Sequence, residues 1–301
     1  LLADDMGLGK TFMALSAIEH RYQDLNKIAE TQKPTLIVAP LTLLENWKDE
    51  VAKTFKKSPF RDIVILQSDG ELRRFKSGGV EIRSNSNEDG EYEPRYSLNI
   101  GKEQPDRLDM PGRLIITTYQ TLRDYQFSLC LIDWGLVVFD EAQNIKNPNA
   151  LQTRAAKGLK AEFKLIATGT PVENSLADFW CLMDTACPEY LGGYQEFRSE
   201  YISPILQAAG DEVEEVRSRI GRNLRIQVGA IMLRRVKEDN LDGLPSKHIF
   251  VGVEDDEWQY LPELGKTMSG YQLKVYDGAI ESLAESDSNH VLGTLQRLRN
   301  S

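Results

Sequence analysis

Short apolar runs alternate with longer stretches of helical periodicity between Leu1 and about Asp184. After an apolar start at Leu1–Ala3, the runs predict buried strands of a parallel sheet at Thr35–Ala39, Ile63–Leu66, Leu114–Thr117, Leu136–Asp140 and Lys164–Ala167. The periodic stretches predict helices at Lys10–Tyr22, Leu43–Phe55, Tyr119–Leu129, Asn149–Gly158 and Leu176–Thr185. Strands that alternate with helices in this way are typical of an α/β fold with a doubly wound sheet.

The segment Gln67–Gly112 interrupts this alternation. It is polar, and its residues 81–109 carry eight Asp or Glu against four Lys or Arg. We interpret it as a surface insertion with a small hairpin, and a regulatory or partner-binding role is the alternative to a plain loop. Beyond Pro188 the pattern predicts helices at Gln195–Ile202 and Asp211–Leu224, a strand at Lys247–Val253 and a long helix at Glu263–Ala284.

The composition is ordinary for a soluble globular protein, because 41% of the 301 residues are hydrophobic and 27% are charged. No apolar run approaches the roughly 18 residues that a membrane span needs, and no signal peptide is visible. The chain opens inside a strand pattern, so we expect a fragment of a larger protein. Cys130, Cys181 and Cys187 lack the spacing of metal ligands, which indicates a reducing compartment, either the cytoplasm or the nucleus.

The net charge of −10 does not exclude a nucleic-acid partner, because the charge is unevenly distributed. Residues 217–237 contain no acid and seven bases, which are Arg217, Arg219, Arg222, Arg225, Arg234, Arg235 and Lys237. These bases form either part of a phosphate-binding stripe or a solvated helix whose arginines pair with Glu212, Glu214 and Glu215. The tryptophans are isolated in the sequence, which favours packing over base stacking: Trp47, Trp134, Trp180 and Trp258.

A glycine-rich turn, DDMGLGKT, occupies residues 4–11 between the apolar start and the first predicted helix. Gly7 and Gly9 let the backbone curl until its N–H groups point at a phosphate, and the helix N-terminus adds its positive end. Lys10 then reaches the β- and γ-phosphates, and the Thr11 hydroxyl can ligate Mg²⁺. The common phosphate-loop pattern is imperfect here, since Asp4 takes the place of its first glycine.

A second string, Val138-Phe139-Asp140-Glu141-Ala142-Gln143, ends an apolar strand in two carboxylates. Such a pair suits an Asp that holds Mg²⁺ and a Glu that activates water. Alone it is a weak signal, because acids often cap the next helix. The order of the two strings, each at a strand end, indicates a nucleoside triphosphatase.

Three further strand ends carry small hydroxyl or backbone donors, namely 38–41, 116–119 and 167–175. Backbone N–H groups and Thr hydroxyls there can bind phosphate oxygens of a nucleic-acid strand without base readout. The alternative is that they are ordinary strand-to-helix turns with N-caps. The candidate DNA-binding residues are Pro40, Leu41, Thr118, Tyr119, Thr168, Gly169 and Thr170.

With these motifs in order, the chain resembles the SWI/SNF-related ATPases, a branch of the superfamily 2 helicase-like motors. The matching segments are LADDMGLGKT, VAPLTLLENW, ITTYQTL, FDEAQNIKNP, ATGTPVENSLADFW and MLRRVKEDNLDGLPSK. The resemblance implies a RecA-like ATP-binding lobe at residues 1–187 and a helical protrusion at 188–240. It implies that residues 241–301 end this lobe and begin a linker helix toward a second motor lobe of the same polypeptide. ATP-driven translocation along double-stranded DNA, used to remodel protein–DNA complexes, is the implied activity.

The resemblance also assigns roles to residues. ATP is bound by Asp5, Met6, Gly7, Leu8, Gly9, Lys10 and Thr11. Mg²⁺ is held by Thr11 and Asp140, and Glu141 orients the attacking water. Gln143 lies where many relatives carry His and couples the nucleotide site to Thr168–Pro171, although Gln does not ionise near neutral pH. Arg234 and Arg235 belong to a family motif near the lobe junction, where they organise interdomain contacts as an alternative to binding DNA.

The missing second lobe carries the arginine finger of such motors, worth about 10³–10⁵ in rate in other nucleoside triphosphatases. A segment that contacts adenine is also missing upstream. We therefore expect the fragment to bind ATP weakly and hydrolyse it poorly, while the full-length protein is a DNA-dependent ATPase.

The alternative functions are a strand-separating helicase on DNA or RNA and a binding module that no longer hydrolyses ATP. The target stays open among RNA polymerase, nucleosomes, repair intermediates and phage DNA. The motifs favour a bacterial protein in the cytoplasm near the nucleoid, and a eukaryotic one would be nuclear.

Overall fold

The computed structural model describes residues 1–24, 32–67, 71–81, 95–103, 106–172, 175–210 and 212–237. The predicted strand Lys247–Val253, the predicted helix Glu263–Ala284 and Trp258 lie outside these residues. No helix among the residues described is long and apolar enough to cross a membrane.

A parallel sheet of five strands, ordered β2-β5-β1-β6-β7, forms the centre of the molecule. A separate antiparallel pair, β3 and β4, lies within the predicted insertion and confirms its small hairpin. In chain order the strands are β1 (Thr35–Val38), β2 (Ile63–Leu66), β3 (Lys76–Glu81), β4 (Arg95–Leu98), β5 (Leu114–Thr117), β6 (Asp133–Phe139) and β7 (Lys160–Ile166).

Helices cover both faces of this sheet, as a doubly wound α/β fold requires. They are α1 (Lys10–Asp24), α2 (Leu44–Thr54), α3 (Leu72–Phe75), α4 (Tyr119–Asp124), α5 (Gln126–Leu131), α6 (Leu151–Gly158), α7 (Leu176–Ala186), α8 (Tyr194–Phe197), α9 (Ser203–Gln207) and α10 (Glu212–Val228). Short 3₁₀-helices occupy Leu41–Leu43 and Ala142–Ile145, and a π-helical turn occupies Arg198–Ile202. The predicted fold class is confirmed.

Side chains of the central strands alternate between two cores. Leu36 and Val38 pack into the core that contains residues of α4, α5 and α6, whereas Ile37 packs into the core beneath α1 and α2. Both faces of β1 are therefore buried, which explains its unbroken apolar sequence. Burial of one such side chain stabilises the fold by about 1.5–3 kcal/mol.

The carboxyl ends of the five strands lie in one row across the sheet. Val38 of β1 is in register with Thr117 of β5 and with Phe139 of β6. Thr117 is also in register with Leu66, and Phe139 with Ile166. The residues that follow these positions share one edge, the place where open α/β sheets bind ligands.

The first residues of the chain extend the sheet beyond β7. Leu2 forms parallel bridges to Ala167 on one side and to Leu233 on the other. The ladder continues where the N–H of Asp5 donates to the carbonyl of Arg235 over 3.1 Å. Residues 1–5 thus lie between β7 and residues 231–235, and they run directly into the glycine-rich turn.

Several predicted elements have other bounds in the structure: β6 begins at Asp133, α10 continues to Val228, and the predicted helix Gln195–Ile202 is α8 followed by a π-helical turn. Two further differences have a clear physical reason. β7 begins at Lys160 and not at Lys164. The prediction starts too late because the first half of the strand lies on the surface and lacks an apolar run. The predicted helix Tyr119–Leu129 is interrupted at Tyr125, whose φ of −117° and ψ of 29° are not helical.

A third core joins α7 to α8 and α10 through Phe179, Phe197 and Leu224.

Candidate active site

The glycine-rich turn adopts the conformation that its glycines permit. Gly7 and Gly9 have φ values of +85° and +79°, a region that side-chain-bearing residues rarely adopt. Lys10 begins α1, and its ammonium donates to the carbonyls of Asp4 over 2.9 Å and Asp5 over 3.1 Å. The cation therefore lies on the inner side of its own loop, within reach of a phosphate held there.

Asp140 directly follows β6 and is buried. Its Oδ2 accepts a 2.9 Å hydrogen bond from Nε1 of Trp47, and its Oδ1 accepts one from the N–H of Glu141. The hydroxyl of Tyr119 donates to the Asp140 carbonyl over 2.7 Å. Burial raises the pKa of Asp140, and the hydrogen bond from Trp47 opposes that rise. The carboxylate is thus fixed in position and favours a cation nearby.

Glu141 has a φ of 49°, in the left-handed region that non-glycine residues seldom occupy. Its Oε2 accepts a 2.9 Å hydrogen bond from the amide of Gln143. The amide oxygen of Gln143 in turn accepts one from the Thr168 hydroxyl over 3.1 Å, which also receives the N–H of Thr170. The structure therefore joins the second carboxylate to the loop after β7 through Gln143, as the predicted coupling requires.

Residues 234–237 bind the glycine-rich turn from the other side. The guanidinium of Arg235 donates to the fully buried carboxylate of Asp4 over 2.5 Å and 3.0 Å, and its N–H donates to the same carboxylate. These hydrogen bonds raise the pKa of Arg235. Arg234 donates to the Ala3 carbonyl over 2.6 Å and lies 3.5 Å from the Asp5 carboxylate. Both arginines thus support the turn within the same lobe.

This arrangement explains why an Asp stands at position 4, where the common phosphate-loop pattern has a glycine. Its carboxylate is the hydrogen-bonding partner of Arg235. A glycine at that position would leave Arg235 without its buried partner. The arginines of α10 behave differently, because Arg217, Arg219, Arg222 and Arg225 are exposed. Within the described residues none of them pairs with Glu212, Glu214 or Glu215, so the predicted intrahelical pairing is wrong.

Four of the seven candidate DNA-binding residues line a cleft beyond the carboxyl ends of β1 and β5, and the other three lie in the loop 168–170. Pro40, Leu41, Thr118 and Tyr119 share it with Lys76 and Gln120. Leu41 is exposed, whereas Tyr119 is buried with its hydroxyl on the Asp140 carbonyl. Thr118 caps α4 by accepting the N–H of Thr121. A contact to DNA from positions 118 and 119 would therefore come chiefly from the backbone.

Thr168 is also fully buried, and its hydroxyl is bound to Gln143 and Thr170. Gly169 approaches the nucleotide loop closely, since a Cβ on it would lie 3.2 Å from Met6 and 3.9 Å from the Lys10 ammonium. The predicted residues of 168–170 thus face the glycine-rich turn and the Gln143 amide. Thr170 alone among them is exposed.

Sequence reasoning missed two partners of the site. Trp47, Trp134 and Trp180 are buried, which confirms the packing prediction, yet Trp47 also donates to Asp140. Arg235, which the resemblance places in a motif near the lobe junction, binds Asp4 within this lobe. The signal for Trp47 is its position in VAPLTLLENW, a segment that begins at the same sheet edge as Asp140.

The residues present fit ATP and Mg²⁺. A triphosphate needs backbone donors and a cation, which the positive-φ glycines and Lys10 supply. Mg²⁺ prefers hard oxygen ligands, which Asp140 and Thr11 offer. No group of three or more His, Cys, Asp or Glu residues in the described part of the chain is arranged to hold a metal ion.

Comparison with known proteins gives a consistent result. The family model of the SNF2-related domain matches residues 1–300. Zorya protein ZorD of Escherichia coli O139:H28 is 35% identical over 99% of this chain and 26% of its own length. DNA excision repair protein CSB of Oryza sativa is 29% identical over 82% of the chain and 21% of its own length. The TATA-binding protein-associated factor mot1 of Schizosaccharomyces pombe is 30% identical over 83% of the chain and 12% of its own length.

Among solved structures, the Sulfolobus solfataricus SWI2/SNF2 ATPase core in complex with double-stranded DNA superposes with a TM-score of 0.55 and 25% identity. The match covers 99% of this chain and 53% of that one. The Sulfolobus solfataricus SWI2/SNF2 ATPase core domain gives a TM-score of 0.53 and 26% identity. The chain thus spans about a quarter or less of the relatives named above and about half of the solved ATPase cores.

Proposed function

Because this chain belongs to the SNF2-related domain family, we propose that it is the ATP-binding lobe of a motor that moves along double-stranded DNA and remodels protein–DNA complexes. The observation that carries the proposal is the meeting of three motifs at one sheet edge. Lys10, the pair Asp140 and Gln143, and Thr168 come from separate parts of the sequence, and each makes a contact within the nucleotide loop, the carboxylate pair or the link between them.

ATP binding begins with the glycine-rich turn. The Lys10 ammonium now donates to the carbonyls of Asp4 and Asp5, and it moves to phosphate oxygens when a triphosphate enters. The backbone N–H groups around Gly7 and Gly9 complete the cradle. Thr11 and Asp140 would hold Mg²⁺, which supplies a positive charge that neutralises the developing charge on the phosphates.

Glu141 accepts a proton from the attacking water. Its carboxylate is oriented by the Gln143 amide, so its free oxygen has a defined direction. Gln143 also binds Thr168, and Gly169 lies near the Lys10 ammonium. Loss or gain of the terminal phosphate at Lys10 therefore changes the contacts of the 168–170 loop. Through these contacts, ATP hydrolysis is coupled to the binding of a DNA strand.

The DNA strand would run along the cleft lined by Pro40, Leu41, Thr118, Lys76 and Gln120. Its walls offer backbone groups, Lys76 and side-chain amides such as those of Gln120 and Asn144, all of which can bind phosphate oxygens, and this fits a motor that tracks the phosphate backbone. The DNA complex of the Sulfolobus solfataricus ATPase core supports this choice of partner. The second motor lobe and the protein that is displaced belong to the rest of the polypeptide and to its target.

The decisive test is steady-state ATP hydrolysis by the full-length protein with no nucleic acid, duplex DNA, single-stranded DNA or RNA. We expect strong stimulation by duplex DNA, and loss of turnover in Lys10→Ala. Stimulation by single strands or RNA alone would instead indicate a helicase. ATP binding with no turnover under any condition would indicate a binding module.

A matched variant refines the last outcome. Glu141→Gln removes the proton acceptor but keeps the shape of the side chain, so ATP should bind while hydrolysis falls about 10²–10⁴-fold. Equal turnover in Glu141→Gln and the wild-type protein would remove Glu141 from the reaction.

A further inference from the structure

Lys237 lies over the glycine-rich turn. A Cβ placed on Gly7 would be 3.6 Å from both Cε and the ammonium nitrogen of Lys237. The side chain thus reaches the outer part of the same loop whose inner part holds Lys10. Two ammonium groups, from positions 227 residues apart in sequence, approach one phosphate-binding turn.

The backbone of Lys237 is held in place by the turn itself. Its N–H donates to Oδ2 of Asp5 over 3.1 Å, while the Asp5 N–H donates to the Arg235 carbonyl over 3.1 Å. Arg234 lies 3.5 Å from the other oxygen of the Asp5 carboxylate. The backbone of Lys237 is therefore held beside the turn by hydrogen bonds that do not involve its own ammonium group.

The ammonium of Lys237 makes no ion pair with any residue that the structure describes. The two nearest acids of the turn are occupied: Asp4 receives Arg235, and Asp5 receives Arg234 and the Lys237 N–H. A nearby anion normally stabilises an ammonium group by electrostatic attraction. Here the anion that the adjacent loop is shaped to hold is a phosphate.

We propose that Lys237 is a second phosphate-binding cation of the nucleotide site, acting beside Lys10 on the phosphate groups of ATP. The proposal rests on the proposed function, because it takes the glycine-rich turn as a triphosphate site. It gives the 231–237 segment a direct contact with nucleotide in addition to its support of the turn through Arg235.

The test measures the affinity of the full-length protein for ATP and ADP with a fluorescently labelled nucleotide. Lys237→Gln keeps the backbone N–H that Asp5 binds and the first half of the aliphatic stem, but removes the charge. We expect binding about tenfold weaker, the range of one charge-assisted hydrogen bond. Lys237→Arg should retain most of the affinity, since it restores a cation.

Lys160→Ala is the matched control. Lys160 is exposed at the amino end of β7, the end opposite the site, so its loss removes one positive charge without touching the turn. Its ATP affinity should equal that of the wild type. Thermal unfolding of every variant shows whether the fold is retained.

Unchanged ATP affinity in Lys237→Gln would overturn the proposal, as would an equal loss in Lys237→Arg. Weak binding in Lys160→Ala as well would also overturn it, because net charge and not position would then be responsible. Failure of the wild-type protein to bind ATP, with Lys10→Ala no different, would instead reject the proposed function.

Discussion

The indole N–H of Trp47 donates a 2.9 Å hydrogen bond to Oδ2 of Asp140, joining residues 93 positions apart. Trp47 is 2% exposed and lies on the buried face of α2, in the core shared with α1, so its ring is held firmly. Asp140 is thereby aimed by a side chain that cannot rotate away. A carboxylate that is to hold a metal ion benefits from such support, because an outer contact fixes the direction of its oxygens.

Replacing Trp47 with Phe should remove this donor and keep most of the packing. A hydrogen bond to a charged group contributes about 1.5–3 kcal/mol, so we expect kcat for ATP hydrolysis to fall roughly tenfold or more. Since the bond from Trp47 lowers the pKa of Asp140, the acidic limb of the pH–rate profile should move to higher pH.

Trp134→Phe provides the comparison for this variant. Trp134 is equally buried, but its N–H donates to the Leu129 carbonyl and not to the site. Its loss should lower the melting temperature and leave the pH–rate profile in place. A shift of similar size in both variants would mean that packing, and not the hydrogen bond to Asp140, sets the profile.

Asp140→Asn should lack the pH dependence of stability that the Asp140 carboxyl causes when Mg²⁺ is absent, although its amide keeps only one of the two acceptors that Trp47 and Glu141 use. Burial raises the folded-state pKa of Asp140 above its ordinary value of 3.8. A raised folded pKa means that the neutral carboxyl is favoured in the fold, so stability is lost as the pH rises from the unfolded value through the folded one. Asn removes that loss, although it also removes activity.

Differential scanning fluorimetry over a pH series measures the effect. The melting temperature of the wild type relative to that of Asp140→Asn should rise as the pH falls toward 3.8. Added Mg²⁺ and ATP should raise the melting temperature of the wild type more than that of the variant. A difference between the two melting temperatures that does not change with pH would exclude ionisation of Asp140 as its cause.

Much of the site follows from local sequence, and the rest depends on distant pairs. Gly7, Gly9 and Lys10 form one turn and were predicted from their spacing alone. The contacts of Asp140 with Trp47 and of Asp4 with Arg235 join residues 93 and 231 positions apart. No periodicity in the sequence encodes such a pair, because each partner lies in an element whose own pattern is satisfied without it.

The same limit applies to the fold. The strands β1, β2 and β5 are buried on one or both faces, so their apolar runs predicted them within one residue. The first half of β7 is exposed and polar, which hides it from a search for buried strands. The break at Tyr125 is hidden in a different way, because the residues around it keep a helical pattern on both sides.

Gln143 and Thr168 should act as one unit in ATP turnover. Gln143→Ala and Thr168→Val each remove the 3.1 Å hydrogen bond between them. We expect each single change to lower DNA-stimulated hydrolysis, and the double change to cost less than the sum, with a coupling of about 1 kcal/mol. Rates of the wild type, both single variants and the double variant form the complete cycle.

Thr185→Val is a suitable control for the loss of a buried hydroxyl. The Thr185 hydroxyl donates to the Cys181 carbonyl within α7, away from the site. It should be additive with Gln143→Ala. Additivity of Thr168→Val with Gln143→Ala as well would show that the hydrogen bond between them does not carry the coupling.

Arg235→Met should destabilise the protein and weaken ATP binding together. The variant leaves the fully buried Asp4 carboxylate with a single N–H donor and no cation, and an unpaired buried charge is strongly unfavourable. Arg235→Lys should restore only part of the loss, because an ammonium cannot make the paired contacts of a guanidinium. The measurements are the melting temperature and the affinity for ATP.

Arg225→Met removes an exposed arginine of α10 and should change neither quantity. A normal melting temperature in Arg235→Met would show that Asp4 does not need its partner. Joint loss of stability and affinity distinguishes Arg235 from Lys237, whose replacement by Gln should affect affinity alone.

The pairing of residues 1–5 with residues 231–235 also sets an order of events during synthesis. The phosphate-binding turn leaves the ribosome long before Arg235, yet its buried carboxylate receives a counter-ion only when Arg235 arrives. Contacts between such distant positions form late, because the entropy of closing a long loop must be overcome first. The nucleotide site of a growing chain therefore stays incomplete until nearly all of the described residues have been made.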